Sequence, residues 1–297
     1  VRLSCPIRSS SLAFVLAVIA DLSLSCAKGN PSQLSTSYRR DISNSLLNQS
    51  HDTKVVPNIL NPNSRGLHEL GKHLNQKVIV INYHDVIPFR TASSLWFDCS
   101  QGELQNQIQT MIKDGCHFIT IEQLYNYLTS GKPLPSRPVA ITFADGYEGV
   151  YKYGVQVLKQ FNIHAMEFVH TGFVGSPIGR PKMTWTQIEE LDRTGQLGFG
   201  SQTVTHPANL PSVHGDQLRH EMVDSRADLE MHLGHKVIWL AYPDGKFSGE
   251  DEKAAKSAGY ILAFSEHQQP ANLSPSIFAV NRYVHTKWKT ALHDLLK

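Results

Sequence analysis

From about residue 77 onward the chain alternates short, dense apolar runs with longer stretches in which hydrophobic residues recur every three or four positions. These are the spacings of buried strands and amphipathic helices. The apolar runs are Val78 to Tyr83, Phe118 to Thr120, Pro138 to Phe143, Ala165 to Val169, Leu197 to Gln202, Val237 to Ala241 and Tyr260 to Phe264. Helical spacing is clearest over Gln101 to Asp114, Tyr151 to Phe161, Thr186 to Thr194, His214 to Leu233 and Asp251 to Ala258, the last ended by Gly259. Strand followed by helix, repeated, is the pattern of parallel β-α units. Seven such strands with crossover helices predict an α/β fold, a distorted (β/α)7-type barrel in preference to an open sheet.

The pattern fails before residue 77. Residues 27–76 are rich in Ser, Asn, Gln and Pro with scattered hydrophobes and no sustained period, the texture of a flexible linker or tail. Residues 1–26 carry Arg2 and Arg8, an apolar run from Leu12 to Ala20, then small residues and Cys26, which is the layout of an export leader. The run is too short to span a membrane. Leu22-Ser23-Leu24-Ser25-Cys26 also loosely matches a bacterial lipoprotein cleavage site, with serine where leucine is expected three residues before the cysteine. The leader therefore reads either as a signal peptide or as a lipoprotein signal, and a lipid anchor would be its membrane contact. Either way the expectation is an exported protein, extracellular, periplasmic or attached to the cell envelope, whose residues 77–297 form one monomeric catalytic-size domain.

Composition adds two exclusions. With 297 residues, 41% of them hydrophobic and 18% charged, the chain can bury one large core. A net charge of +2 without a basic stripe argues against nucleic acid as a partner. Outside the leader only Cys99 and Cys116 remain, flanking the helix from Gln101 to Asp114, which would hold their ends about 20 Å apart. A disulfide needs Cα atoms within about 7 Å, so two unpaired thiols are expected.

In a parallel barrel the strand ends converge on one face, so the residues just after each strand are read together. They are Tyr83-His84-Asp85, Ala144-Asp145, His170, Gln202 with His206, and Pro243-Asp244. As bare chemistry, Asp145 and His206 can begin a divalent metal site but not complete one, because catalytic zinc usually takes three protein ligands. His170 stays outside the candidate set, since one stray strand-end histidine is unremarkable among fifteen. Trp185 and Trp239 read as core or groove wall, and the 214–233 stretch as a solvated helix face without metal spacing.

The strings VIVINYHDV, ITFADGYEGVY, SQTVTHP, LAYPDGKF and NRYVH occur in that order between Val78 and His285. Together they resemble the polysaccharide deacetylases of carbohydrate esterase family 4, most closely the subgroup that deacetylates poly-β-1,6-N-acetylglucosamine in bacterial biofilms. The resemblance implies an N-acetylated polysaccharide as substrate and a divalent metal, zinc foremost with nickel or cobalt as alternatives, that activates water while a neighbouring Asp acts as general base. Carried across by position, Asp145 matches the metal-binding Asp, His206 the second metal-binding His, and His84 the histidine that protonates the leaving amine. Tyr242, Pro243 and Gly245 match the groove-forming segment.

Two positions depart from that pattern. Ala144 stands where the general base belongs, and Gln202 replaces the first metal-binding His. A third, Asp244, replaces a groove aromatic. Alanine takes no proton, and an amide oxygen is a weak neutral ligand compared with imidazole, so the expectation is activity that is weak or lost. The alternative function is a non-catalytic glycan-binding or exopolysaccharide-assembly protein on the same fold. Glu167, inside the apolar strand Ala-Met-Glu-Phe-Val, either points into the barrel and supplies the missing carboxylate or faces outward or into a salt bridge.

Overall fold

The computed structural model describes residues 74–297. The leader assigned to 1–26, and all of the 27–76 linker except residues 74–76, lie outside the described residues. The main sheet is parallel and runs β10-β1-β5-β6-β7-β8-β9, with β4 pairing alongside β5. Its strands are β1 (Ile79–Tyr83), β4 (His117–Phe118), β5 (Pro138–Ala144), β6 (Ala165–Val169), β7 (Leu197–Ser201), β8 (Trp239–Ala241), β9 (Leu262–Phe264) and β10 (Tyr283–Val284). Two short strands, β2 (Val86–Ile87) and β3 (Cys99–Ser100), pair separately.

All seven expected strands are present, and β10 is added to them. This strand of two residues carries no periodicity of its own. It exists because Ile81 and Asn82 of β1 pair with Tyr283 and Val284. The edge opposite is covered too, since Ala263 and Ser265 exchange backbone bonds with Ile277 and Val280 just ahead of β10. Phe168 of β6 and Phe264 of β9 are three strands apart in the sheet, yet their rings are 5.4 Å apart. The sheet is therefore curled, and these two positions line its interior.

Four of the helices begin at a capping box. In α1 (Gln101–Lys113), α2 (Ile121–Ser130), α4 (Trp185–Thr194) and α7 (Gly249–Ala258), a Ser or Thr side chain and the residue three on cap each other's amides. The 151–161 helix is really a π turn, Val150–Gly154, running into α3 (Val155–Gln160). The stretch read as one long helix is α5 (Gly215–Arg219), a π turn at His220–Asp224 and α6 (Ser225–Leu233). The last helix, α8, is Trp288–Leu296. Cys99 and Cys116 are buried and unpaired.

Alternation sorts the strand residues between two layers. Ile79, Ile81, Tyr83, Ile141, Phe143 and Phe199 pack outward against Leu104, Ile108 and Met111 of α1 and Leu292 and Leu295 of α8. Inward lie Asn82, Thr142 and the fully buried Arg282, whose guanidinium donates to Asn82 Oδ1 at 3.0 Å and lies over the Phe168 and Phe264 rings. A buried arginine needs compensation, and its ion pair with Glu266 is 3.7 Å long.

His285, buried and stacked on Tyr83 at 5.4 Å, is drawn down to about 4 by burial and by the neighbouring His84. Its neutral form is what the fold accommodates. Stability from this residue is thus complete above its unfolded value near 6.5 and is lost as pH falls toward 4, at up to about 1.4 kcal/mol per pH unit. In melting curves from pH 7 to 4, His285→Phe should lose less stability than the unmodified chain. Parallel curves for the two proteins would rule this out.

Candidate active site

The cleft is built on the C-terminal ends of β1, β5, β6 and β7. Positive-φ residues other than glycine gather there and in the neighbouring loop after β8: Asp145 (73°), Thr203 (69°), His206 (52°) and Asp244 (53°). Such backbone costs about 1–3 kcal/mol per residue and persists only where surroundings enforce it. At Asp145 the enforcement is visible. Its N–H donates to Gln202 Oε1 at 2.8 Å, and the next N–H, of Gly146, donates to Glu167 Oε1 at 2.9 Å. Two side chains, one on β6 and one just past the end of β7, hold successive amides of one turn.

Asp145 and His206 do meet, with Oδ1 and Nε2 3.6 Å apart. Burial alone would raise the Asp145 carboxyl, but His84, His206, Lys182 and His170 around it hold it below the usual carboxylate range. Gln202 lies between the pair. Because its Oε1 accepts from Asp145, its Nε2 is the end turned to His206 Nε2, 3.2 Å away. The amide nitrogen can only donate there, so the contact is a hydrogen bond when the His206 ring carries its proton on Nδ1 and Nε2 accepts.

Ala144 is fully buried and pairs in register with Phe168, which places its methyl on the inner face, one pleat beyond Thr142 and beside the ring that Arg282 covers. Glu167 pairs instead with Phe143 and Phe199 and so leaves the outer face of the sheet. It is not a lumen carboxylate replacing the base but an outward-facing one, covered rather than exposed. It is fully buried beneath the Asp145 turn, and burial holds its carboxyl well above the usual range. The reason is the Gly146 amide, which a protonated or ionised Glu167 can both accept from.

His84 borders the cleft next to Trp96 and Phe97, with ring centroids 6.0 and 5.8 Å away. Phe97 stacks on Tyr147, and the Lys182 ammonium lies 3.3 Å from the centre of the Tyr147 ring. Gly245 lines a cavity of about 450 Å³ with Asp244, Lys246, Phe247, Glu266 and His267. Tyr242 and Pro243 are buried behind it, the Tyr242 ring stacked on Phe247 at 4.9 Å.

Two residues of the cleft were not among the sequence candidates. His170 is buried with its ring 5.4 Å from His206, and burial draws it down to about 3. Its place directly after β6 was the available signal. Lys182 gave none, because it reaches the cleft only through an antiparallel bridge to Tyr147.

Residues 131–263 match the family model for polysaccharide deacetylase. Residues 131–263 therefore carry a polysaccharide deacetylase domain. Among relatives of the deacetylase domain, the poly-beta-1,6-N-acetyl-D-glucosamine N-deacetylase of Staphylococcus aureus strain MSSA476 is 24% identical over 235 residues, covering 71% of this chain and 79% of that one. IcaB from Ammonifex degensii, 25% identical, superposes with a TM-score of 0.65 over 75% of this chain and 98% of its own. The Streptococcus pyogenes deacetylase PplD, solved with acetate, gives a TM-score of 0.66 at 23% identity, over 74% and 98%. The curled parallel sheet with its helices is the barrel of this family.

Deacetylases of the family are generally metal-dependent. The donor set here does not fit that requirement. Asp145 Oδ1 is a buried acceptor without a hydrogen-bond partner, as a ligand oxygen would be, but the third position presents an N–H to His206. Among the described residues no group of three His, Cys, Asp or Glu side chains is placed to hold a metal ion.

Proposed function

We propose that this deacetylase domain binds N-acetylated glucosamine polymers along the strand-end cleft and does not turn them over at a rate useful to a hydrolase. The observation that carries this reading is the pair of replacements at the reacting centre: a buried methyl at Ala144 in the place of the proton acceptor, and an amide at Gln202 whose two ends are already used by Asp145 and His206. What supports the ligand class is the deacetylase family itself and relatives named for poly-β-1,6-N-acetylglucosamine. His84, Asp145 and Gly245 stay available to line a sugar-binding groove. A role in holding or assembling exopolysaccharide at the cell envelope follows, with the 1–26 leader providing export and the domain acting as a monomer.

Calorimetry with short β-1,6-linked N-acetylglucosamine oligomers, paired with fluorescent detection of released amine, tests this. Saturable binding with amine release at the buffer level is the expected result. Release that rises linearly with protein concentration would make the chain an enzyme, and absence of binding would remove the polymer as its ligand.

A further inference from the structure

We infer that Gln202 is a built-in lock that keeps divalent metal out of the Asp145–His206 pair, and not a weak ligand standing in for the family's histidine. The inference rests on the reading of a cleft without turnover and goes beyond it, because a weak ligand and a lock predict opposite effects when the side chain is removed.

The spacing of the two retained donors is not the obstacle. Oxygen and nitrogen ligands about 2.0–2.2 Å from a tetrahedral zinc lie about 3.3 Å from one another, and Asp145 Oδ1 and His206 Nε2 are 3.6 Å apart. The obstacle is the lone pair on His206 Nε2. A neutral imidazole nitrogen has one, and the Gln202 amide N–H already donates to it across 3.2 Å. A cation and a proton donor cannot share it.

Nor can the amide simply turn over to offer its oxygen. Oε1 accepts from the Asp145 N–H at 2.8 Å, and Gln202 is only 3% exposed. Rotation would present an NH2 group to that N–H and leave a buried donor without an acceptor, a penalty equivalent to about tenfold in affinity. The Asp145 turn, with φ of 73° there and 65° at Gly146, depends on the same bond. The lock is therefore tied into the backbone that carries the metal-ligand carboxylate. Polar groups behind the ligands change metal affinity by about 10- to 100-fold in metalloproteins. Here the same kind of group acts against the metal.

Two substitutions separate the readings. Gln202→Glu keeps the shape and the acceptor for Asp145 N–H and replaces the donating NH2 by an oxygen. Gln202→Ala removes both ends. Zinc titrations of the full chain, by calorimetry and by metal content after gel filtration, should show Gln202→Ala binding about tenfold more tightly than the unmodified protein and Gln202→Glu about 100-fold more tightly. If neither Gln202→Ala nor Gln202→Glu, which keeps the acceptor for Asp145 N–H, binds zinc more tightly than the unmodified chain, the lock is wrong, although a cleft that binds glycan without turnover would still stand. If the unmodified chain holds one zinc per molecule, both fall. Nitrogen-15 shifts of His206 provide a check independent of metal: the Nδ1–H form is expected in the unmodified chain, and an Nε2–H form would refute the lock.

Discussion

Ala144→Asp and Gln202→His together are expected to raise amine release from N-acetylglucosamine oligomers by about 10³-fold or more over the unmodified chain. A positioned general base is worth about 10² to 10⁴ in rate, and a bound metal brings the pKa of its water from about 15.7 toward about 7. The scaffold for both is in place. The Ala144 methyl lies on the inner face beside Phe168, whose ring the buried Arg282 covers, and the one ion pair of Arg282 among the described residues, to Glu266, is 3.7 Å long. A carboxylate at that position would share the inner face with this buried cation. His206 and Asp145 remain 3.6 Å apart to receive a third ligand. Because base and metal act on one step, each single substitution should recover less than about tenfold, far from an additive share. Equal rates for the unmodified and doubly substituted chains, both well above the buffer level, would show that the site was never impaired.

The second large effect concerns stability. Gly149→Ala should destabilise the domain by about 3 kcal/mol or more, near the upper end of overpacking costs. A Cβ there would lie 2.1 Å from Asp85 Oδ1 and 2.3 Å from the Val86 carbonyl oxygen, the second of which is backbone and cannot swing aside. Asp85 in turn is held by Arg180 at 2.7 Å, and the same guanidinium holds the fully buried Asp98, also at 2.7 Å. The clash therefore reaches the loop that carries His84. For a domain of this size the melting temperature should fall by about 6–12 °C. Gly102→Ala in α1, where an added Cβ meets nothing within 4 Å, is the control and should leave it unchanged or slightly higher. Equal melting temperatures for Gly149→Ala and the control would overturn the packing argument.

Strands were legible wherever a run of apolar residues is buried on both faces. Ala165–Val169 has the same bounds in sequence and structure, and β5 differs from its expected range by one residue. Helix starts were read less well: Asp251 lies two residues inside α7, whose cap is Ser248, and α2, capped by Thr120, was not among the expected helices, because capping bonds are local signals that hydrophobic spacing does not report. Tyr283–Val284 was not read as a strand, since its identity comes from a partner about 200 residues earlier. The π turns at 150–154 and 220–224 were also missed, because helical spacing in hydrophobes does not distinguish a bond to the fourth residue from one to the fifth.

The amino-acid sequence by itself determined the family, the order of the strands and the chemical types at their ends, including the methyl at Ala144 and the amide at Gln202. These are properties of local pattern and motif. Only the tertiary structure decided which way those groups are used: that Glu167 lies beneath the Asp145 turn and not in the lumen, that Lys182 and His170 join the cleft, and that the Gln202 amide turns its oxygen to Asp145 and its nitrogen to His206. The physical reason is that direction in a strand depends on register with neighbouring strands, and the orientation of an amide depends on which donors and acceptors distant segments bring to it.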